Sequence, residues 1–172
     1  ARCFTTVSTI PTMRNKIPLP SSPTRQPSPH PVPLIKNLQK RHPVNLPKVR
    51  LLLEFLHEKK PLSHNEISVV FLGPRRMSLI NFTYLGHSGP TDVITFRHGE
   101  ILICPQVVAA QSRLFGTTYT EELFLYIIHG WLHLWGMNDK HPAQARKMAR
   151  AQNTLLQKFL RYSSFRSSKL LK

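Results

Sequence analysis

The sequence predicts an α+β domain: a small four-stranded mixed sheet, helices packed mainly on one of its faces, and a buried histidine-bearing helix at the centre. Three observations carry this. Short β-branched runs alternate with helical periodicities in the order β-α-β-α-β-β-α-α-α. Two of those runs, Thr91–Phe96 and Glu100–Cys104, are joined by Arg97-His98-Gly99 alone, a connection so short that it implies an antiparallel hairpin. The stretch Leu123–Ile128 is apolar on every side, as a helix covered all round must be.

Residues 1–31 are rich in Pro, Ser, Thr and Arg and read as a disordered tail that cannot bury enough surface to order itself. The tail is basic and free of acids, as transit peptides are, but its prolines oppose an amphipathic helix. The domain proper is assigned to residues 32–165, with 166–172 a short basic tail. Val32–Leu38 reads as the first strand. Pro47 opens a helix in which Val49, Leu52, Leu53 and Leu56 recur at helical spacing. Glu66–Gly73 is an apolar, β-branched strand, parallel to the first because a helix joins the two. Pro74 starts a helix to about Tyr84 with Met77, Ile80 and Tyr84 as its buried stripe. After the loop Gly86–Pro90 comes the hairpin, then a helix from Pro105 closed by Gly116. Thr118-Tyr-Thr-Glu121 is a capping box that opens the histidine helix, and Pro142 starts a last helix with basic residues on its polar positions.

The histidine helix carries the chemistry. His129 and His133 lie one turn apart on one face, within reach of a single ion. Gly136 can end the helix in the left-handed conformation and turn the chain back, bringing a third ligand, Asp139 or His141. Pro142 at the first helical position makes His141 the N-cap and leaves Asp139 in the turn, so Asp139 is preferred. Three protein ligands leave a fourth position open, as catalytic zinc requires. The glutamate base of His-Glu-x-x-His proteases is missing, since Gly130 follows His129.

A net charge of +16, with no acid before Glu54 or after Asp139, calls for a polyanionic partner, and nucleic acid is the commonest soluble one. Cys3 and Cys104 form no Cys-x-x-Cys pair, which fits a reducing compartment, and no apolar run reaches the roughly 18–20 residues of a bilayer span. The expectation is a soluble protein, cytoplasmic, or organellar if the tail is a transit peptide.

His129-Gly-Trp-Leu-His133-Leu-Trp-Gly136, preceded by Thr91-Asp92-Val-Ile-Thr-Phe96 and Gly99-Glu100-Ile, resembles the YbeY family of metal-dependent endoribonucleases, the bacterial rRNA maturation factors. The resemblance covers roughly Val32 to Phe165. It implies a zinc-dependent enzyme that cuts single-stranded RNA, trims precursor rRNA of the ribosomal small subunit and joins in ribosome quality control. The family's metal triad falls on His129, His133 and Asp139, where the commonest pattern has a third histidine. Leu85 stands where the family usually has an arginine after Asn81-Phe-Thr-Tyr84, and Arg75, Arg76 or Arg97 are candidates to replace it. Thr91, Asp92, Arg75 and Arg97 are the candidate substrate-binding residues; Asp92 either lines the cleft or caps the turn before its strand. Tyr162 and Phe165 either stack bases or, the favoured reading, pack the end of the last helix. No general acid or base is assigned. The rival readings are a noncatalytic ribosome-assembly protein with a structural metal and, less favoured, a metalloprotease.

Overall fold

In the computed structural model, residues 33–64 and 66–169 are described, so the tail assigned to residues 1–31 lies outside the described residues. The order is β1 (Leu34–Asn37), α1 (Leu46–Lys59), β2 (Ser68–Phe71), α2 (Pro74–Leu85), β3 (Val93–Phe96), β4 (Glu100–Ile103), α3 (Pro105–Phe115), α4 (Tyr119–Leu134) and α5 (Pro142–Lys169), as the sequence predicts. The strands lie in the order β1-β2-β4-β3; β1, β2 and β4 are parallel, and β3 pairs antiparallel with β4. The strands are shorter than their apolar runs, because pairing stops where a partner strand ends. The last helix crosses Phe165 without a break and ends at Lys169, so residues 166–169 continue it.

Alternation along the strands divides the interior in two. Val69, Phe71, Val93, Ile101 and Ile103 face α1, α4 and α5 in the larger core. Val70, Leu72, Ile94 and Leu102 point the other way and meet Met77 and Ile80 of α2. Helix α1 buries the predicted Val49, Leu52, Leu53 and Leu56, and Phe55 with them. On α2 the stripe differs from the prediction: Met77 is buried, but its companion is Asn81, while Tyr84 is 52% exposed. Asn81 is held inside because its Nδ2 donates to Gly89 O at 2.9 Å, fixing the loop before β3. Tyr84 lies at the sheet edge, its ring edge-on to Phe96 at 5.2 Å.

Helix α4 is the central element, with every residue from Glu122 to Leu132 buried. Its capping box is complete: Thr118 Oγ1 accepts from Glu121 N, and the Glu121 side chain accepts from Thr118 N. Trp131 Nε1 donates to Lys60 O at 2.8 Å, tying α4 to the end of α1. Gly130 lets α4 settle onto the hairpin, for a Cβ there would lie 2.7 Å from Ile101 Cγ2 and 3.0 Å from Thr95 Oγ1. Ile101 is fully buried and β-branched, so its methyl cannot swing aside. Replacing Gly130 by alanine gains about 1 kcal/mol of helix propensity, but overpacking costs about 1–3 kcal/mol. The expected outcome for Gly130→Ala is therefore a net loss, read as a lower urea midpoint with an unchanged slope; an unchanged or raised midpoint would show that the helix can lift off the sheet freely.

Candidate metal centre

The C-terminus of α4 builds the site. Gly136 adopts φ 97°, its N–H donates to His133 O and Met137 N–H donates to Leu132 O, the paired bonds of a Schellman close. The chain then reverses and places Asp139 in the turn before α5, whose first residue is Pro142. His129, His133 and Asp139 each present a ligand atom, all within 4.8 Å of one another. The Nε2 atoms of the two histidines are 3.0 Å apart, and Asp139 oxygens lie 3.6 Å from His129 Nε2 and 3.8 Å from His133 Nε2. Ligands on a tetrahedral zinc ion with bonds of about 2.0–2.1 Å are separated by about 3.3 Å, so the triangle is the right size for one ion.

Tautomers decide what the triangle can hold. His129 Nδ1 is 3.0 Å from Gln152 Oε1, and His133 Nδ1 is 3.1 Å from Met137 O. The Met137 carbonyl makes His133 Nδ1 a donor, and Gln152, oriented with its Oε1 toward the ring, assigns the same role to His129 Nδ1. Two unprotonated Nε2 atoms then face each other beside a carboxylate, an arrangement that repels itself unless a cation sits between them. A proton fills that role poorly. Burial, chiefly, and the neighbouring His133 hold the His129 pKa down at about 4, against the opposing pull of Gln152 and Asp139. Burial lowers His133 as well, opposed by Asp139 and the Met137 carbonyl. The donor set fits a divalent ion of zinc's preference, and the side chains of His129 and Asp139 are 2% and 4% exposed while that of His133 is 17% exposed, leaving solvent access on one side. His141 is exposed at the start of α5 and does not join the group, so among the described residues the cluster has three members.

Gln152 was not singled out in the sequence, yet its signal is there. Met148, Gln152, Leu155, Leu156 and Phe159 form the buried stripe of α5, and a lone amide in an apolar stripe needs a partner.

The other predicted residues do not gather at this centre. Thr91 and Asp92 are interior: Asp92 Oδ1 accepts from Val93 N at 2.7 Å and from Thr91 Oγ1 at 3.1 Å, and Tyr126 of α4 also hydrogen-bonds the carboxylate. These partners hold Asp92 at the turn before β3 with its side chain buried, and desolvation raises its pKa. Arg75 is exposed at the start of α2, on the opposite face of the sheet from α4. Arg97 is exposed in the hairpin turn, and its carbonyl accepts from His64 Nε2. Tyr126 lies beside Asp92 at one end of β3, and Gly130 reaches Thr95 one turn later, so α4 runs toward the hairpin turn and delivers His133 to the end where Arg97 sits. Leu85, at the position of the expected arginine, packs against the smaller core. Tyr162 packs on Phe55 at 5.5 Å, the packing role, while Phe165 is exposed.

The family description "Endoribonuclease YbeY" matches residues 35–160. The chain belongs to the YbeY endoribonuclease family. It is 38% identical to the protein named Endoribonuclease YbeY of Chlorobium luteolum, over 56% of this chain and 75% of that one. A Bacteroides fragilis YbeY is 39% identical over 53% and 70% of the two chains, and that of Chloroherpeton thalassium 32% over 63% and 82%. A solution structure of a Thermotoga maritima protein superposes with a TM-score of 0.57 at 27% identity, covering 78% of this chain and 92% of that one. YbeY membership thus covers the sheet, the α4 histidines and most of α5.

Two outcomes follow for the YbeY centre. Replacing Gln152 by leucine frees the His129 ring and its tautomer, and divalent-ion affinity in a competition titration should fall about 10- to 100-fold with the circular dichroism unchanged. In the metal-free chain the folded state holds both imidazoles neutral below their ordinary 6.5, so the unfolded chain takes up protons first as pH falls. Stability from this source is complete above about 6.5 and declines toward about 4, where His129 itself protonates in the fold. The melting temperature of chelator-treated protein should drop between pH 7.5 and 5; a flat profile over that interval would contradict the burial of the pair.

Proposed function

We propose that this chain is a metal-dependent endoribonuclease specific for single-stranded RNA, acting in maturation of small-subunit rRNA and in ribosome quality control. The observation that carries the reading is the convergence of His129 Nε2 and His133 Nε2, 3.0 Å apart, with Asp139 beside them, in a chain whose relatives are named endoribonucleases. His129, His133 and Asp139 would hold the ion, with zinc favoured by the mixed nitrogen and oxygen donors. When bound, such an ion supplies Lewis acidity that polarises a phosphoryl oxygen and makes water nucleophilic near neutral pH. Gln152 and the Met137 carbonyl keep the two rings in the tautomer and orientation that ligation needs. Asp139 adds a negative charge that offsets the cation in a partly closed pocket. Arg97, exposed in the hairpin turn, would meet a phosphate of the strand.

A peptidase is disfavoured by Gly130. The glutamate that serves His-Glu-x-x-His enzymes would have to grow from a Cα pressed against Ile101 and Thr95. A structural metal is disfavoured by the count of three ligating side chains among the described residues, because structural zinc is normally closed by four.

The test is to incubate the zinc-loaded chain with a single-stranded RNA and with a peptide. Wild type should cut the RNA and leave the peptide intact, His133→Ala should reduce cutting to background, and His141→Ala should cut as wild type does. Equal RNA cutting by wild type and His133→Ala would remove the nuclease assignment, and metal-independent binding without cutting would favour the assembly role.

A further inference from the structure

A second site lies at the other end of the sheet. The segments that leave the carboxyl ends of the parallel strands β1 and β2, together with the start of α3 after β4, surround a groove of about 570 Å³, within the usual size range of ligand pockets. Lys40, Arg41, Arg75 and Arg76 line it, with His42 beside them, and none of its lining residues is acidic. The loop bearing Lys40 and Arg41 is held in place. Gln39 Oε1 accepts from Arg41 N and His42 N, and Gln39 Nε2 donates to Asn37 Oδ1 and His42 O. The starts of α2 and α3 meet here too, and their positive helix ends, that of α2 without a capping side chain, reinforce the cationic side chains. Gln106, in the first turn of α3, contributes a different chemistry: its Oε1 is withdrawn from solvent and has no hydrogen-bond partner among the described residues.

An anion alone satisfies the arginines but leaves Gln106 Oε1 wanting a donor. A ribonucleotide unit supplies both, phosphate oxygens for the cations and the 2′-hydroxyl for the amide oxygen. The groove is about one strand length, on the order of 13 Å, from the hairpin-turn end where the histidines lie. We propose that this groove is an RNA-binding exosite that grips the sugar–phosphate backbone of the single-stranded substrate away from the metal centre. Arg41, Arg75 and Arg76 hold phosphates, and Gln106 reads the ribose. The identity of the strand rests on the endoribonuclease reading; the anion chemistry of the groove does not.

The experiment measures equilibrium binding of a fluorescent 20-nucleotide single-stranded RNA by anisotropy at several salt concentrations, using the full chain with His133→Ala so that the strand stays intact. Adding the exposed substitutions Arg41→Ser, Arg75→Ser and Arg76→Ser should weaken binding at least tenfold near 0.15 M salt and reduce the slope of log K against log salt by about 2, at roughly 0.7 per single-strand phosphate contact. Gln106→Leu should shrink the preference for RNA over the same DNA sequence several-fold while leaving the salt slope intact. Unchanged affinity and slope in the triple variant would overturn the proposal, as would inorganic phosphate displacing the RNA completely at low millimolar concentration, which would make the groove a small-anion site. RNA cleavage by the otherwise wild-type chain, with no binding loss in the triple variant, removes the exosite and spares the nuclease reading. Binding loss without any cleavage removes the nuclease reading and spares the exosite.

Discussion

The contact of α4 with the hairpin at Gly130 governs the rest of the molecule. A side chain there would push the helix off Ile101 and Thr95, and the depth of the helix sets the depth of His129, its immediate neighbour. Because the helix lies so low, His129 is cut off from water on the sheet side and must find its hydrogen-bond partner from above, on α5. The larger core is therefore organised in layers around α4, with the sheet below and α1 and α5 packed against it.

Burying two imidazoles and a carboxylate is costly unless each is satisfied. The fold offsets part of the cost by distributing partners over distant parts of the chain: an amide from α5 for one ring and a backbone carbonyl beyond the helix end for the other. The same economy appears at Asp92. Its carboxylate is enclosed by Val93 N, Thr91 and Tyr126, which fixes the entry of β3 beneath the helix. Asp92 and Asp139 thus sit in different surroundings, one among donors at the start of β3 and one at the histidine cluster.

The basic character of the chain also resolves into places. Arg97 lies toward the metal end of the hairpin, whereas Arg75 and Arg76 sit at the start of α2, on the far face and at the opposite end of the sheet, beside the loop that carries Lys40 and Arg41. Leu85, at the position of the expected arginine, is accommodated by the smaller core, against which its apolar side chain packs. Positive charge is thereby withdrawn from that one position without disturbing the sheet.

What the sequence determined by itself was everything governed by short-range rules. Element order, the complete capping box at Thr118, the glycine stop at Gly136, the one-turn spacing of His129 and His133 and the return of Asp139 all depend on neighbours a few residues apart. Even the parallel pairing of β1 and β2 follows from the helix between them. Tertiary structure decided what no local rule reaches. Asn81 rather than Tyr84 faces inward because a loop carbonyl eight residues away needs a donor, and Gln152 meets His129 across 23 residues because α5 folds back on α4. Asp92 became interior because Tyr126 lies above it. Hydrogen-bond satisfaction in a dry interior is a property of the assembled packing, and periodicity along one element carries no information about which partner the other elements will bring.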